Sequence, residues 1–121
     1  MADSKTTVKE LKDIVRKFCE ARDWDKFHDA KELSIGISTE ASELLQHFRF
    51  KSKRQVEAML RKPEKREKIN KEVADVFYFT LRLAQRYGID LATELKKKIA
   101  ENEKRYPISK FKGSNKRKDE V

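Results

Sequence analysis

Apolar side chains recur every three or four residues along most of this chain, the spacing that lines one face of an α-helix. Val8, Leu11, Val15, Phe18 and Cys19 form the first such stripe, which predicts a helix over about residues 4 to 22. Ile37, Ala41, Leu44, Leu45 and Phe48 repeat it, giving a second helix between Asp29 and Phe50. Ser52, followed three residues later by Gln55, has the form of a capping box and opens a short helix to about Leu60. Pro63 suits the first turn of a third main helix, where a missing N–H costs nothing. Ile69, Val73, Val76, Thr80 and Leu83 mark its stripe, and Phe77, Leu81 and Ala84 widen it, so this helix needs partners on more than one face. Gly88 fits a left-handed C-terminal cap. Asp90 fits the N-cap of a fourth main helix carrying Leu91, Leu95, Ile99 and Tyr106, ended by Pro107. Residues 108 to 121 show no periodicity.

The expected fold is therefore all-α: four main helices plus a short connecting helix, with a helical domain over residues 1–107 and a basic, flexible tail over 108–121. With 37% hydrophobic and 42% charged residues in 121, the stripes supply a thin core. Ordering the backbone costs roughly 1–2 kcal/mol per residue, so a free monomer is marginal. Assembly through the second and third main helices into a dimer or tetramer is expected. Only 3 Gly and 2 Pro are present, too few for the turns of a β-sandwich or barrel. The single cysteine, Cys19, excludes an internal disulfide or a finger-type zinc site and reads as core filler. No apolar run reaches membrane-spanning length and no secretory signal opens the chain, so a cytoplasmic location away from membranes is expected.

The net charge of +9 is uneven. Residues 49–71 hold 10 Lys/Arg against Glu57, Glu64 and Glu67, and residues 108–121 hold 5 against Asp119 and Glu120. A nucleic-acid binder using Lys51, Lys53, Arg54, Arg61, Lys62 and the tail is the rival reading. It lacks a base-reading set and leaves the acidic residues idle. A solvated connector near the entrance of an anionic ligand accounts for the same charge, so a nucleic-acid partner is not expected.

Glu40 and Glu43 stand three apart on the second helix, and Glu72 and Asp75 repeat that spacing on the third. Taken singly, each pair is ordinary helix surface. Together they are unusual, because the lysines and arginines expected at i±3 or i±4 around Glu40 and Glu43 are missing and each pair borders an apolar stripe. Four carboxylates gathered in a partly dry groove repel one another unless a cation neutralises them. Oxygen ligands suit Mg²⁺, with Mn²⁺ as the alternative, and Mg²⁺ shared with a few carboxylates implies a phosphate substrate. A di-iron site of the ferritin type needs Glu-x-x-His motifs, and His47 stands four residues after Glu43.

With these motifs the sequence resembles the MazG-like all-α nucleoside triphosphate pyrophosphohydrolases, closest to their dCTP pyrophosphatase branch. The resemblance covers about residues 8 to 115. It rests on Glu40-Ala41-Ser42-Glu43 and Glu72-Val73-Ala74-Asp75, with Arg22-Asp23-Trp24, Phe27-His28, Phe48-Arg49-Phe50-Lys51, Lys98, Asn102 and Arg105-Tyr106-Pro107 in the same order. It implies Mg²⁺-dependent hydrolysis of a (d)NTP to the (d)NMP and pyrophosphate, cleansing the nucleotide pool. Glu40, Glu43, Glu72 and Asp75 would hold metal, and Glu43, or else Glu40, would accept the water's proton. Lys98, Asn102, Arg105 and Tyr106 would bind phosphate, and Trp24, His28 and Phe50 the base. Read without the resemblance, Lys98 and Asn102 fit equally a solvated lysine and a helix-end asparagine, and Trp24 fits core packing. Two positions depart from the family. Phe50 stands where the dCTP-preferring branch often has tryptophan, and Phe79 where a tyrosine is common; neither removes a metal ligand.

Overall fold

The computed structural model describes residues 1–116 and residue 119; the remaining tail positions of the expected flexible segment lie outside the described residues. Among the described residues every regular element is helical. The order is α1 (Val8–Glu20), α2 (Ala30–Gln46), α3 (Lys53–Leu60), α4 (Pro63–Arg86), α5 (Leu91–Arg105) and α6 (Ile108–Phe111), with single 3₁₀ turns at Asp3–Lys5 and Asp25–Phe27.

Local chemistry sets the boundaries. Thr7 accepts from the Glu10 N–H at 3.1 Å and so starts α1 at Val8, where the apolar stripe begins and later than the expected start near residue 4. Asp29 accepts from the Glu32 N–H at 2.8 Å. Ser52 and Gln55 form the full capping box, Pro63 occupies the first turn of α4, and Asp90 accepts from the Thr93 N–H at 3.0 Å. α2 falls within the expected stretch between Asp29 and Phe50 and ends at Gln46. The following residues turn sharply, and Phe50 takes a left-handed backbone conformation with φ 65°. Gly88 also has φ 65°, as a left-handed cap requires.

The chain forms two compact units, Met1–Gly88 and Ile89–Val121. In the first, α4 is the central helix and α2, α1 and α3 all pack on it. Val15, Cys19, Leu33, Met59, Ile69, Leu81 and Ala84 are its buried apolar side chains, a small core for its length. Cys19 is buried with Sγ 3.2 Å from the Tyr78 hydroxyl. Burial and this contact push the Tyr78 phenol well above its ordinary range. Val73 and Phe77 remain 51% and 45% exposed, so the packing leaves part of the broad apolar face of α4 uncovered. The second unit holds α5 and the short α6, which starts just after Pro107 in a stretch whose pattern predicts no helix; the Tyr106 and Phe111 rings pack edge to face, 5.0 Å apart. No helix among the described residues is long and apolar enough to cross a membrane.

Candidate active site

The approach of α2 to α4 is set by Gly36. A Cβ built there would lie 2.5 Å from the Phe79 ring, closer than side-chain atoms tolerate, so only glycine admits the ring. Phe79 is thus a spacer between the two helices. One turn beyond Gly36 on α2 comes Glu40, and one turn before Phe79 on α4 comes Asp75.

The oxygens of Glu40, Glu43 and Glu72 converge to within 4.8 Å of one another. Asp75 is exposed and outside this trio, yet its charge acts on Glu40. Glu40 Oε2 and Glu72 Oε2 are buried and have no hydrogen-bond partner. Buried acceptors are normally satisfied, and leaving one unmade costs about 1–3 kcal/mol. Burial pushes the Glu40 carboxyl up to about 7, with the Glu43 carboxyl next in importance and the charges of Asp75 and Glu72 adding to it. Within this unit no lysine or arginine pairs with any of the four acids. The side chain in contact with the set is His47, whose Nε2 lies 3.6 Å from Glu72 Oε1. Sequence reasoning used His47 only to test a di-iron spacing; its place one turn after Glu43 on the same face was the available signal. A crowded carboxylate set with two orphaned oxygens has the donor chemistry that a hard divalent cation satisfies.

Two of the three expected base contacts come together. The Trp24 and His28 rings lie 6.0 Å apart at 59°, with Phe18 edge-on to Trp24 at 5.6 Å. Phe50 does not join them. It is 90% exposed in the α2–α3 connection, where its backbone is left-handed, with the Arg49 guanidinium 4.5 Å from its ring. Phe50 instead borders a cleft of about 660 Å³ with His47, Lys51, Lys62 and Lys65.

The four expected phosphate-binding residues lie in the second unit. Lys98 is exposed and 3.5 Å from Glu101. Asn102 is half-buried, its carbonyl accepting from the Tyr106 N–H at 2.8 Å, and the Arg105 guanidinium lies 5.6 Å from the Tyr106 ring.

Sequence reasoning passed over the most buried charged group. Arg82 is fully buried in α4 and donates to Asp25, His28 and Gln85. The Arg82 guanidinium holds the Asp25 carboxyl below its usual range. The signal was a lone arginine between Leu81 and Leu83 in an otherwise apolar run.

Residues 35–121 match the model of the MazG-like family, well over half of the chain. The chain belongs to the MazG-like family. As a MazG-like protein it is similar to dCTP pyrophosphatase 1 of Rattus norvegicus, 29% identical over 108 residues, 89% of this chain and 64% of that protein. With dCTP pyrophosphatase 1 of Homo sapiens the identity is 26% over 115 residues, 95% of this chain and 68% of that one. The chain thus spans under two thirds of the length of the rat protein. A solved structure of a pyrophosphatase from Archaeoglobus fulgidus superposes with a TM-score of 0.78 at 31% identity, covering 88% of this chain and 98% of that one. The all-α MazG-like architecture is common to both.

Proposed function

We propose that this protein is a divalent-cation-dependent nucleoside triphosphate pyrophosphohydrolase, converting a (d)NTP to the (d)NMP and pyrophosphate. One observation carries the reading: three carboxylates from two helices are driven together with two buried, unpartnered oxygens. Glu40, Glu43 and Glu72, with Asp75 at the rim, would hold the cation, Mg²⁺ by preference. When bound, it supplies charge neutralisation at the phosphates and eases ionisation of water. Glu43 is the exposed member of the trio, open to water arriving from solvent, so we assign it the water's proton. His47 steadies Glu72 through its 3.6 Å contact.

Membership of the MazG-like family, the names of the dCTP pyrophosphatase relatives and the archaeal pyrophosphatase fold support the activity and a dNTP, with dCTP the first to test. The Trp24–His28 pair would face the base, and Lys98, Asn102, Arg105 and Tyr106 the phosphates. The lysine-lined cleft beside His47 suits the entry of an anionic ligand better than a duplex, because its basic groups sit in a concave pocket. The exposed apolar face of α4 at Val73 and Phe77, beside a groove lined by Leu44, Phe48, Leu60 and Val76, supports assembly of copies through α2 and α4. Pyrophosphate release from dNTPs, assayed with and without Mg²⁺, tests the activity. We expect release that requires the cation and falls at least about a hundredfold in Glu43→Gln; undiminished turnover in that variant refutes the assignment.

A further inference from the structure

Arg82 is fully buried, and each of its three guanidinium nitrogens donates a hydrogen bond. Nη2 donates to Asp25 Oδ1, Nη1 to Gln85 Oε1 at 2.5 Å, and Nε to His28 Nδ1 at 3.0 Å. Arg86, one turn on, adds Nη1 at 3.6 Å from Asp25 Oδ2 and donates to the carbonyls of His28 and Asp25, each at 3.4 Å. The turn that carries Trp24 and His28 is thereby tied to α4 by two arginines.

These contacts decide the protonation of one imidazole. An arginine side chain only donates and stays protonated at any pH a protein survives. His28 Nδ1 must therefore be the bare, accepting nitrogen. The proton of the neutral ring then sits on Nε2. A cationic imidazole would place an N–H against the guanidinium. Burial first, and the Arg82 charge second, lower the affinity of His28 for a second proton, while Asp25 opposes them. No described residue accepts from Nε2, so this donor is free for a ligand.

We propose that Arg82 is a positioning residue that locks His28 as the neutral Nε2–H tautomer, so that the Trp24–His28 turn offers a fixed hydrogen-bond donor to an acceptor on the nucleobase edge, such as the 2-oxo group of a pyrimidine. The recognition step rests on the base-facing role assigned to Trp24 and His28 above. A preset donor rejects a base that presents only N–H at that position, because two donors then face each other in a partly desolvated site.

Imidazole ¹⁵N spectra of the intact protein test the lock with Arg82 and His28 unchanged. The chain has only 2 histidines, and His47→Gln assigns the resonances. The expected pattern for His28 is a pyrrole-type Nε2 and a pyridine-type Nδ1. A ring with the proton on Nδ1, or exchanging between tautomers, overturns the proposal. Adding a non-hydrolysable pyrimidine nucleotide should shift the Nε2 resonance and leave Nδ1 in place; an unmoved Nε2 at saturating nucleotide overturns the recognition step. Kinetics supply the second arm. Arg82→Lys should raise KM for the pyrimidine nucleotide about tenfold, one hydrogen bond's worth, with a smaller effect on kcat. In a His28→Gln background, where the amide donor needs no tautomer, the same change should move KM less than about threefold. Equal effects in both backgrounds would make Arg82 merely structural. A wild-type protein that shifts Nε2 with nucleotide yet releases no pyrophosphate would sink the proposed hydrolysis while sustaining this inference.

Discussion

Proton release on cation binding follows from the position of Glu40. Its carboxyl is held at about 7 by burial and by the acids around it, against an ordinary value of 4.5. On that value it is about 90% protonated at pH 6, half at pH 7 and about 10% at pH 8. A divalent cation binds the ionised form, so binding must expel the proton that Glu40 carries. The expected release is about 0.9 proton per site at pH 6, 0.5 at pH 7 and 0.1 at pH 8, with apparent affinity falling toward tenfold per unit below pH 7 and flattening above pH 8. Isothermal titration calorimetry of Mg²⁺ or Mn²⁺ in two buffers of different ionisation enthalpy reads that number directly. Glu40→Gln should remove most of the release at pH 7 and weaken binding.

The same shift has a sign for stability in the absence of metal. The folded pKa of Glu40 lies above the unfolded one, so the folded state holds more protons between about pH 4.5 and 7. Stability from this group is therefore full below that window and is lost as pH rises through it. In chelator, Tm should decline from pH 5 to pH 8 more steeply for the wild type than for Glu40→Gln, and saturating cation at pH 8 should restore the wild type. Release that is constant from pH 6 to pH 8, or that survives in Glu40→Gln, would refute the argument that these carboxylates share a desolvated site.

Three further outcomes are expected. Gly36→Ala sets a methyl group 2.5 Å from the Phe79 ring and should cost about 1–3 kcal/mol in denaturant unfolding, with Phe79→Leu recovering part of it in the double variant. Phe50→Gly should stabilise the fold by about 1 kcal/mol in the same assay, because φ 65° disfavours a side chain and the ring is almost wholly exposed; a loss would show that the ring packs in an assembly. Phe77→Glu, on the uncovered face of α4, should shift sedimentation velocity toward the monomer at micromolar concentration, and an unchanged profile would place the interface elsewhere.

The helices were legible because each depends on spacing within one segment, and the acids of the trio because they repeat one spacing on two such segments. Ser52 with Gln55, Pro63 and Asp90 mark helix starts by chemistry confined to a few residues. Glu40 and Glu43 were legible because lysine and arginine are missing at three and four positions on either side of them, and Glu72 because it repeats their spacing with Asp75, all of it visible in the sequence before any contact is known. Arg82 was not legible as a site residue. Its partners Asp25 and His28 are 57 and 54 positions away, and an arginine in a helix reads by default as solvated. The exposed position of Phe50 was not legible for a related reason: it follows a left-handed backbone conformation that neither its own type nor its neighbours signal.

These features lie in order along one antiparallel seam between α2 and α4. From the start of α2 onward, His28 meets Arg82, Gly36 meets Phe79, Glu40 and Glu43 meet Glu72, and His47 meets Glu72 again. Only the third of these pairings is electrostatically unfavourable. It lies between a close-packed glycine–ring contact on one side and a histidine contact on the other, so the helices cannot part to relieve the repulsion without giving up that packing. The rigidity of the flanking contacts keeps Glu40 desolvated and its carboxyl raised toward neutrality. A looser contact at Gly36 would let water in and lower the pKa of Glu40. The cost of Gly36→Ala should therefore appear twice, as lost stability and as a smaller proton release on cation binding at pH 7. Stability lost with proton release unchanged would mean that the acids are held together by something other than this seam.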